Sequence, residues 1–313
     1  MQLDKVENLV LSGGGLLGIS YIGLFRYLEE NQATRQIKTL IGSSAGAIFG
    51  MLFILGYSSN EIYDKFKDMK FSEYVPITAD SIINLMRVKG VNSCDNIVKF
   101  LKDALLDKTG NTNTTFRELY GRFGITFKIG ATNLTTSRFE LLDHINYPDL
   151  PVYLAVRASI AIPFVFEPVV IGDSLYCDGG LCDNLPIDYV IDMQMDKQQQ
   201  SEKDTNKIEL DTSKMQNKIR TLGIYLTNTQ DCITPDNYLA ASLYQYLNAV
   251  LHATFLHPTL EKKTKENEKN YKIIIIEIPC DIMTFLKLHA TRADVDNIID
   301  IAYETIAKEF YIA

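Results

Sequence analysis

The sequence predicts an α/β fold of three layers, α/β/α, in which a mainly parallel central sheet is sandwiched by helices. Three observations lead there. Short apolar runs at residues 7–12, 37–41, 125–132, 221–227 and 271–278 alternate with segments of helical periodicity. The first two runs each end in a glycine-punctuated turn that opens an apolar helical pattern. The chain has 313 residues, 46% of them hydrophobic, which suffices to bury a large core.

The first strand, 7–12, leads into Gly13-Gly14-Gly15-Leu16-Leu17-Gly18. Three successive glycines expose backbone N–H groups with no side chain in the way, and such a run can donate to a developing oxyanion. The same residues satisfy the Gly-x-Gly-x-x-Gly spacing of a dinucleotide loop, but that use needs an acidic residue at the end of the next strand. Residues 37–41 end without one, and Ile19 stands where a Walker loop has lysine. Residues 18–30 then read as an amphipathic helix with Ile22, Phe25 and Leu28 as core positions.

The second strand runs into Gly42-Ser43-Ser44-Ala45-Gly46. A serine held in a sharp strand-to-helix turn presses the residues two before and two after it against backbone, so both must be glycine. Ser44 meets this condition through Gly42 and Gly46, whereas Ser43 has Ile41 and Ala45 at those offsets. The helix that follows aims its amide dipole at the serine and favours negative charge there. An ordinary tight turn would satisfy the same five residues.

Residues 58–60 offer a helix start, and 61–106 is mixed helical. Its apolar side chains Phe66, Phe71, Tyr74, Ile82, Leu85 and Met86 either form a lid or pocket wall or pack on the sheet. A helix begins within 115–120, and 125–132 alternates as a strand does. The apolar run 164–171 and a Gly172-Asp173 turn lead to Cys177-Asp178-Gly179-Gly180. Asp178 either caps a turn or serves as a base. The four histidines, His144, His252, His257 and His289, sit in no motif, which makes a carboxylate acting directly on the serine the economical choice. The glycines after Asp178 allow its close approach.

Residues 197–218 are polar and too weakly apolar to fold alone, hence an exposed insertion. A strand at 221–227 precedes a long helix at 235–256, whose Tyr244, Leu247, Leu251 and Phe255 stripe is expected to face the core. Four successive isoleucines make 271–278 read as a fully buried strand, and 295–311 closes the chain as a helix. Residues 6–313 are thus expected to form one domain, with a motif-bearing core at 6–190 and C-terminal strand and helix elements at 219–313.

Taken in order, residues 13–18, 42–46 and 178–180 resemble the three signatures of the patatin-like phospholipase family. Ala158-Ser159-Ile160-Ala161-Ile162-Pro163 resembles that family's Ala-Ser-x-Ala-x-Pro stretch, and Asn184-Leu185-Pro186 its Asn-x-Pro. The resemblance covers about residues 6–190. It implies a Ser-Asp dyad with Ser44 as nucleophile and Asp178 as general base. It further implies an oxyanion hole from the loop of Gly13, Gly14, Gly15 and Gly18, an elbow shaped by Gly42 and Gly46, and an Asp-Gly-Gly motif completed by Gly179 and Gly180. The implied reaction is hydrolysis of an acyl ester bond in a lipid or phospholipid, without a cofactor. No Asp-rich calcium loop is visible, so metal-independent catalysis is expected. One departure stands out: the family usually has Arg or Lys where this chain has Leu17, which removes a charge beside the oxyanion or the headgroup phosphate. Slower turnover, altered headgroup preference and a purely structural difference are the alternatives.

A net charge of -8 argues against nucleic acid as a partner and leaves attraction to anionic membranes to a local basic patch. Five cysteines, Cys94, Cys177, Cys182, Cys232 and Cys280, show no metal-like pairing, and their odd number favours a reducing compartment. Residues 1–7 do not form a signal peptide, and the longest apolar stretch, 45–57, is too short to span a bilayer. A cytoplasmic protein touching membranes peripherally is expected. Two other functions fit these residues: a soluble serine esterase or thioesterase on small acyl substrates, and a non-catalytic lipid binder, which Leu17 motivates.

Overall fold

The computed structural model describes residues 2–68, 81–190, 220–228, 271–279 and 291–311, with five isolated residues, Pro235, Leu239, Tyr246, Ala249 and Lys263. The expected insertion at 197–218, the helix at 235–256 with its apolar stripe, Phe71, Tyr74, the Ile82 side chain, Cys232, Cys280, His252, His257 and His289 lie outside the described residues.

Strand β1 (Asn8–Leu11) is followed by a 3-10 stretch, Gly15–Ser20, and helix α1 (Tyr21–Glu30). Ile22, Phe25 and Leu28 are buried as expected. The chain returns along β2 (Thr39–Ser43), leaves as α2 (Ala45–Ile54) and continues into α3 (Ser59–Phe66). Ser58 starts α3 with a reciprocal cap: its hydroxyl accepts from the Glu61 N–H, while the Glu61 carboxylate accepts from the Ser58 N–H. Next come α4 (Ser81–Val88), β3 (Gly90–Asn92), α5 (Asp95–Thr109) and α6 (Phe116–Phe123), the last capped in the same way by Thr115 and Glu118. Strands β4 (Thr126–Asn133) and β5 (Arg138–Asp143) precede α7 (Val152–Ser159). The apolar run at 164–171 divides into β6 (Phe164–Phe166) and β7 (Val169–Ile171), which turns back as β8 (Ser174–Asp178). Strands β9 (Thr221–Asn228) and β10 (Lys272–Ile278) and helix α8 (Arg292–Tyr311) complete the elements.

The main sheet runs β10-β9-β1-β2-β4-β8-β7, with β5 also paired to β4. Pairings from β10 to β4 are parallel, and those of β8 with β4 and β7 and of β5 with β4 are antiparallel. The sheet is therefore mixed and mostly parallel. Leu9, Leu11, Leu40, Leu222 and Ile224 join a core that includes buried side chains of α1, α2 and α8. Val10, Ile41 and Tyr225 pack instead with Leu185, Ile187 and Val190. One expectation needs correction. Among the described strands β10 lies at the sheet edge, and its isoleucines alternate, with Ile274 and Ile276 buried and Ile275 38% exposed. A run of β-branched residues does not distinguish a central strand from an edge strand with one covered face.

A register detail places the site. Strand β5 occupies one edge of β4 over residues 128–133. The other edge is shared: β2 runs parallel along it as far as Ser43↔Gly130, and β8 runs antiparallel along it as far as Asp178↔Ala131. The two strands thus meet end to end at consecutive residues of β4.

Candidate active site

Where β2 ends, the backbone bends at Ser44, with φ 49° and ψ -119°, before α2 begins. This left-handed conformation is one that residues with a side chain avoid, at about 1–3 kcal/mol. Tight surroundings hold it. A methyl group on Gly42 would lie 2.4 Å from the Gly46 carbonyl oxygen, and one on Gly46 would lie 2.3 Å from that of Leu11. Helix α2 is almost wholly apolar and buried, and its N-terminus abuts Ser44.

Ser44 Oγ donates a 2.6 Å hydrogen bond to Asp178 Oδ2. The shared edge of β4 produces this contact, since Ser44 immediately follows the last residue of β2 and Asp178 is the last residue of β8. The other carboxylate oxygen, Oδ1, accepts the Gly180 N–H at 2.7 Å. The Asp178 backbone is tied on both sides: its N–H donates to the Ala161 carbonyl at 3.0 Å, and its carbonyl accepts from the Thr132 hydroxyl at 2.8 Å. Asp178 is only 6% exposed. Burial pushes its pKa from 3.8 to about 6, against the opposing pull of the hydrogen bonds from Ser44 and Gly180.

The first glycine loop lies against the serine, a methyl on Gly13 falling 3.0 Å from Ser44 Cβ. Its amides are not equivalent. The Gly13 N–H is taken up by Asn184, donating to the side-chain Oδ1 at 3.1 Å and the backbone carbonyl at 3.2 Å. Among the described residues nothing takes up the N–H of Gly14 or Gly15, because Gly15 opens a 3-10 turn whose first amides have no partner within it. Among the described residues Gly14 and Gly15 are thus the loop's open donors, and Gly13 is its anchor. Gly18 packs on α2, where a methyl would lie 2.9 Å from Ala45 Cβ.

A family model for patatin-like phospholipase matches residues 9–191. The chain belongs to the patatin-like phospholipase family. This patatin-like chain is 30% identical over 195 residues to the uncharacterized protein R571 of Acanthamoeba polyphaga mimivirus, covering 62% of the chain and 64% of that protein. It is 29% identical over 187 residues to the probable lipid hydrolase 463L of Invertebrate iridescent virus 6, covering 59% and 63%. To the lysophospholipase NTE1 of Kluyveromyces lactis it is 26% identical over 193 residues, covering 58% of the chain and 12% of that protein. The chain thus spans less than two thirds of the length of these curated relatives. In fold it is similar to VipD from Legionella pneumophila, with a TM-score of 0.51 at 17% identity over 96% of this chain and 67% of that one.

Leu17, the departure from the family pattern, is 4% exposed and belongs to the main apolar core. Its position favours the structural alternative over a missing charge at the site. His144 stacks flat on Tyr120, ring centroids 4.1 Å apart, and Asp178 is the hydrogen-bonded partner of the serine. Cys94 and Cys177 are buried free thiols and Cys182 is an exposed one; burial raises the pKa of Cys177. Among the described residues no cluster of three or more His, Cys, Asp or Glu could hold a metal ion, and no helix is long and apolar enough to cross a membrane. Two residues that carry the geometry lie outside the glycine turns and the dyad: Asn184, which anchors Gly13, and Ser159, whose hydroxyl accepts the Ser44 N–H at 2.9 Å. Both sit in stretches that match the family, and that match was the available signal.

Proposed function

We propose that this chain hydrolyses acyl ester bonds of phospholipids or related lipids, as a phospholipase A-type serine hydrolase with a Ser44–Asp178 dyad. The observation that carries this reading is the 2.6 Å hydrogen bond from Ser44 Oγ to a buried carboxylate whose pKa is raised to about 6. A carboxylate at its ordinary pKa is a weak base for an alcohol, and raising it towards neutrality improves proton transfer while leaving it ionised at pH 7.

In this mechanism Ser44 Oγ attacks the ester carbonyl as its proton passes to Asp178 Oδ2. The oxyanion of the tetrahedral intermediate receives hydrogen bonds from the Gly14 and Gly15 N–H groups, with the α2 N-terminus adding favourable potential. Collapse expels the alcohol, which takes the proton from Asp178 and leaves an acyl group on Ser44. Asp178 then deprotonates a water that attacks the acyl-enzyme, and on collapse it returns that proton to the departing Ser44 Oγ, which frees the fatty acid and restores the dyad. Only protein groups take part, and the substrate is met at a lipid surface by peripheral contact. The names lipid hydrolase, lysophospholipase and triacylglycerol lipase among relatives support a lipid ester as substrate.

The test is labelling with a fluorophosphonate and recovery of the modified peptide, paired with mass spectrometry of products from a panel of phospholipids and glycerides. An adduct on Ser44 and release of fatty acid are expected. A folded protein with no adduct on Ser44 overturns the proposal.

A further inference from the structure

We propose that Ser159 is a positioning residue for the nucleophile, and that it withdraws the Ser44 amide from oxyanion binding; this rests on the Ser44–Asp178 hydrolase reading. Ser159 ends α7 and is fully buried. Its hydroxyl accepts the Ser44 N–H at 2.9 Å and donates to the Gly130 carbonyl at 2.6 Å. One oxygen therefore ties the strained bend to β4 at Gly130, the residue paired with Ser43 and adjacent in β4 to Ala131, which pairs with Asp178. The serine amide and the strand that sets the height of the carboxylate are held by the same atom.

Two consequences follow. Because Ser44 sits at φ 49° and ψ -119°, its backbone relaxes towards ordinary values unless its neighbours over-determine it. The hydroxyl of Ser159 is the side-chain contact that holds the Ser44 amide. In some serine hydrolases the nucleophile's own N–H donates to the oxyanion. Here that N–H points at Ser159, so the donors left beside the serine, among the described residues, are the amides of Gly14 and Gly15 and that of Ala45, the first residue of α2.

The experiment compares Ser159→Ala and Ser159→Cys with the parent chain in turnover, fluorophosphonate labelling rate and amide hydrogen exchange at Ser44. Displacements near 1 Å at a reacting group cost about 10²-fold. Ser159→Ala is expected to lose about that factor in kcat and in labelling rate. KM stays put, because the substrate surface is untouched. The Ser44 amide exchanges faster. Ser159→Cys, which keeps a weak acceptor at similar size, recovers part of each loss and serves if the alanine variant does not fold. A folded Ser159→Ala with unchanged kcat, labelling and Ser44 exchange overturns the inference, as does a loss confined to KM. If the parent chain cleaves no ester, the function reading fails by itself, and the exchange measurement still decides whether Ser159 holds the amide.

Discussion

Replacing Asp178 by asparagine is expected to make the folded state more stable while removing activity. The carboxyl of Asp178 moves from an ordinary pKa of 3.8 to about 6 on folding because burial disfavours its charged form. A raised carboxyl pKa means that the folded chain binds the proton more tightly than the unfolded one. The ionised side chain therefore destabilises the fold, by nothing at pH well below 3.8 and by a constant amount well above 6. At about 1.4 kcal/mol per unit, the shift corresponds to about 0.5 kcal/mol at pH 4, about 1.5 at pH 5 and about 3 at pH 8. Asparagine is uncharged and keeps the acceptor for the Gly180 N–H, and its amide can donate to Ser44 Oγ in place of the lost acceptor. Urea unfolding of both proteins at these three pH values isolates the effect, since every other group cancels in the difference. The asparagine variant should gain over the parent as pH rises. A gap that is flat with pH, or one that favours the parent at pH 8, refutes the claim that Asp178 is buried in charged form.

The remaining predictions concern the same site. Ser44→Ala lowers turnover by at least about 10⁴-fold, whereas Ser43→Ala, which deletes a buried hydroxyl that has no hydrogen-bond partner among the described residues, retains activity and loses no stability; rates and melting curves of the pair decide which serine acts. The value of kcat/KM falls about tenfold per pH unit below 6, because protonation of Asp178 removes the base, and a pH profile with its midpoint near 4 contradicts the raised pKa. Leu17→Arg, which restores the charge usual in the family, places a cation in apolar core and destabilises the chain by about 3–5 kcal/mol; a stable variant with a changed lipid profile would assign the position to the site instead.

Much of this site is legible in the sequence because its constraints are steric and local. Gly42 and Gly46 announce the bend at Ser44, since only glycine tolerates carbonyl oxygens closer than 2.5 Å to where a side chain would start. The strand and helix limits around them follow from apolar runs and capping residues such as Ser58 and Thr115. What is not legible is anything set by tertiary register. The commitment of the Gly13 N–H to Asn184, 171 residues away, and of the Ser44 N–H to Ser159, 115 residues away, follows from pairings that no local spacing encodes. For the same reason β10 reads from its isoleucines as buried on both faces, while its place in the sheet leaves Ile275 partly exposed.

The end-to-end meeting of β2 and β8 on one strand has a consequence for how such a molecule can be altered. The reacting pair is aligned by a template only two residues long, Gly130 and Ala131, so the polypeptide between Ser44 and Asp178 need not be any particular length. Lengthening a surface connection has a small entropic effect. An insertion at an exposed turn such as 110–113 therefore leaves the chemistry where the template puts it. Insertion of a single residue within the template itself would have the opposite outcome, a complete chain whose two working atoms face different directions.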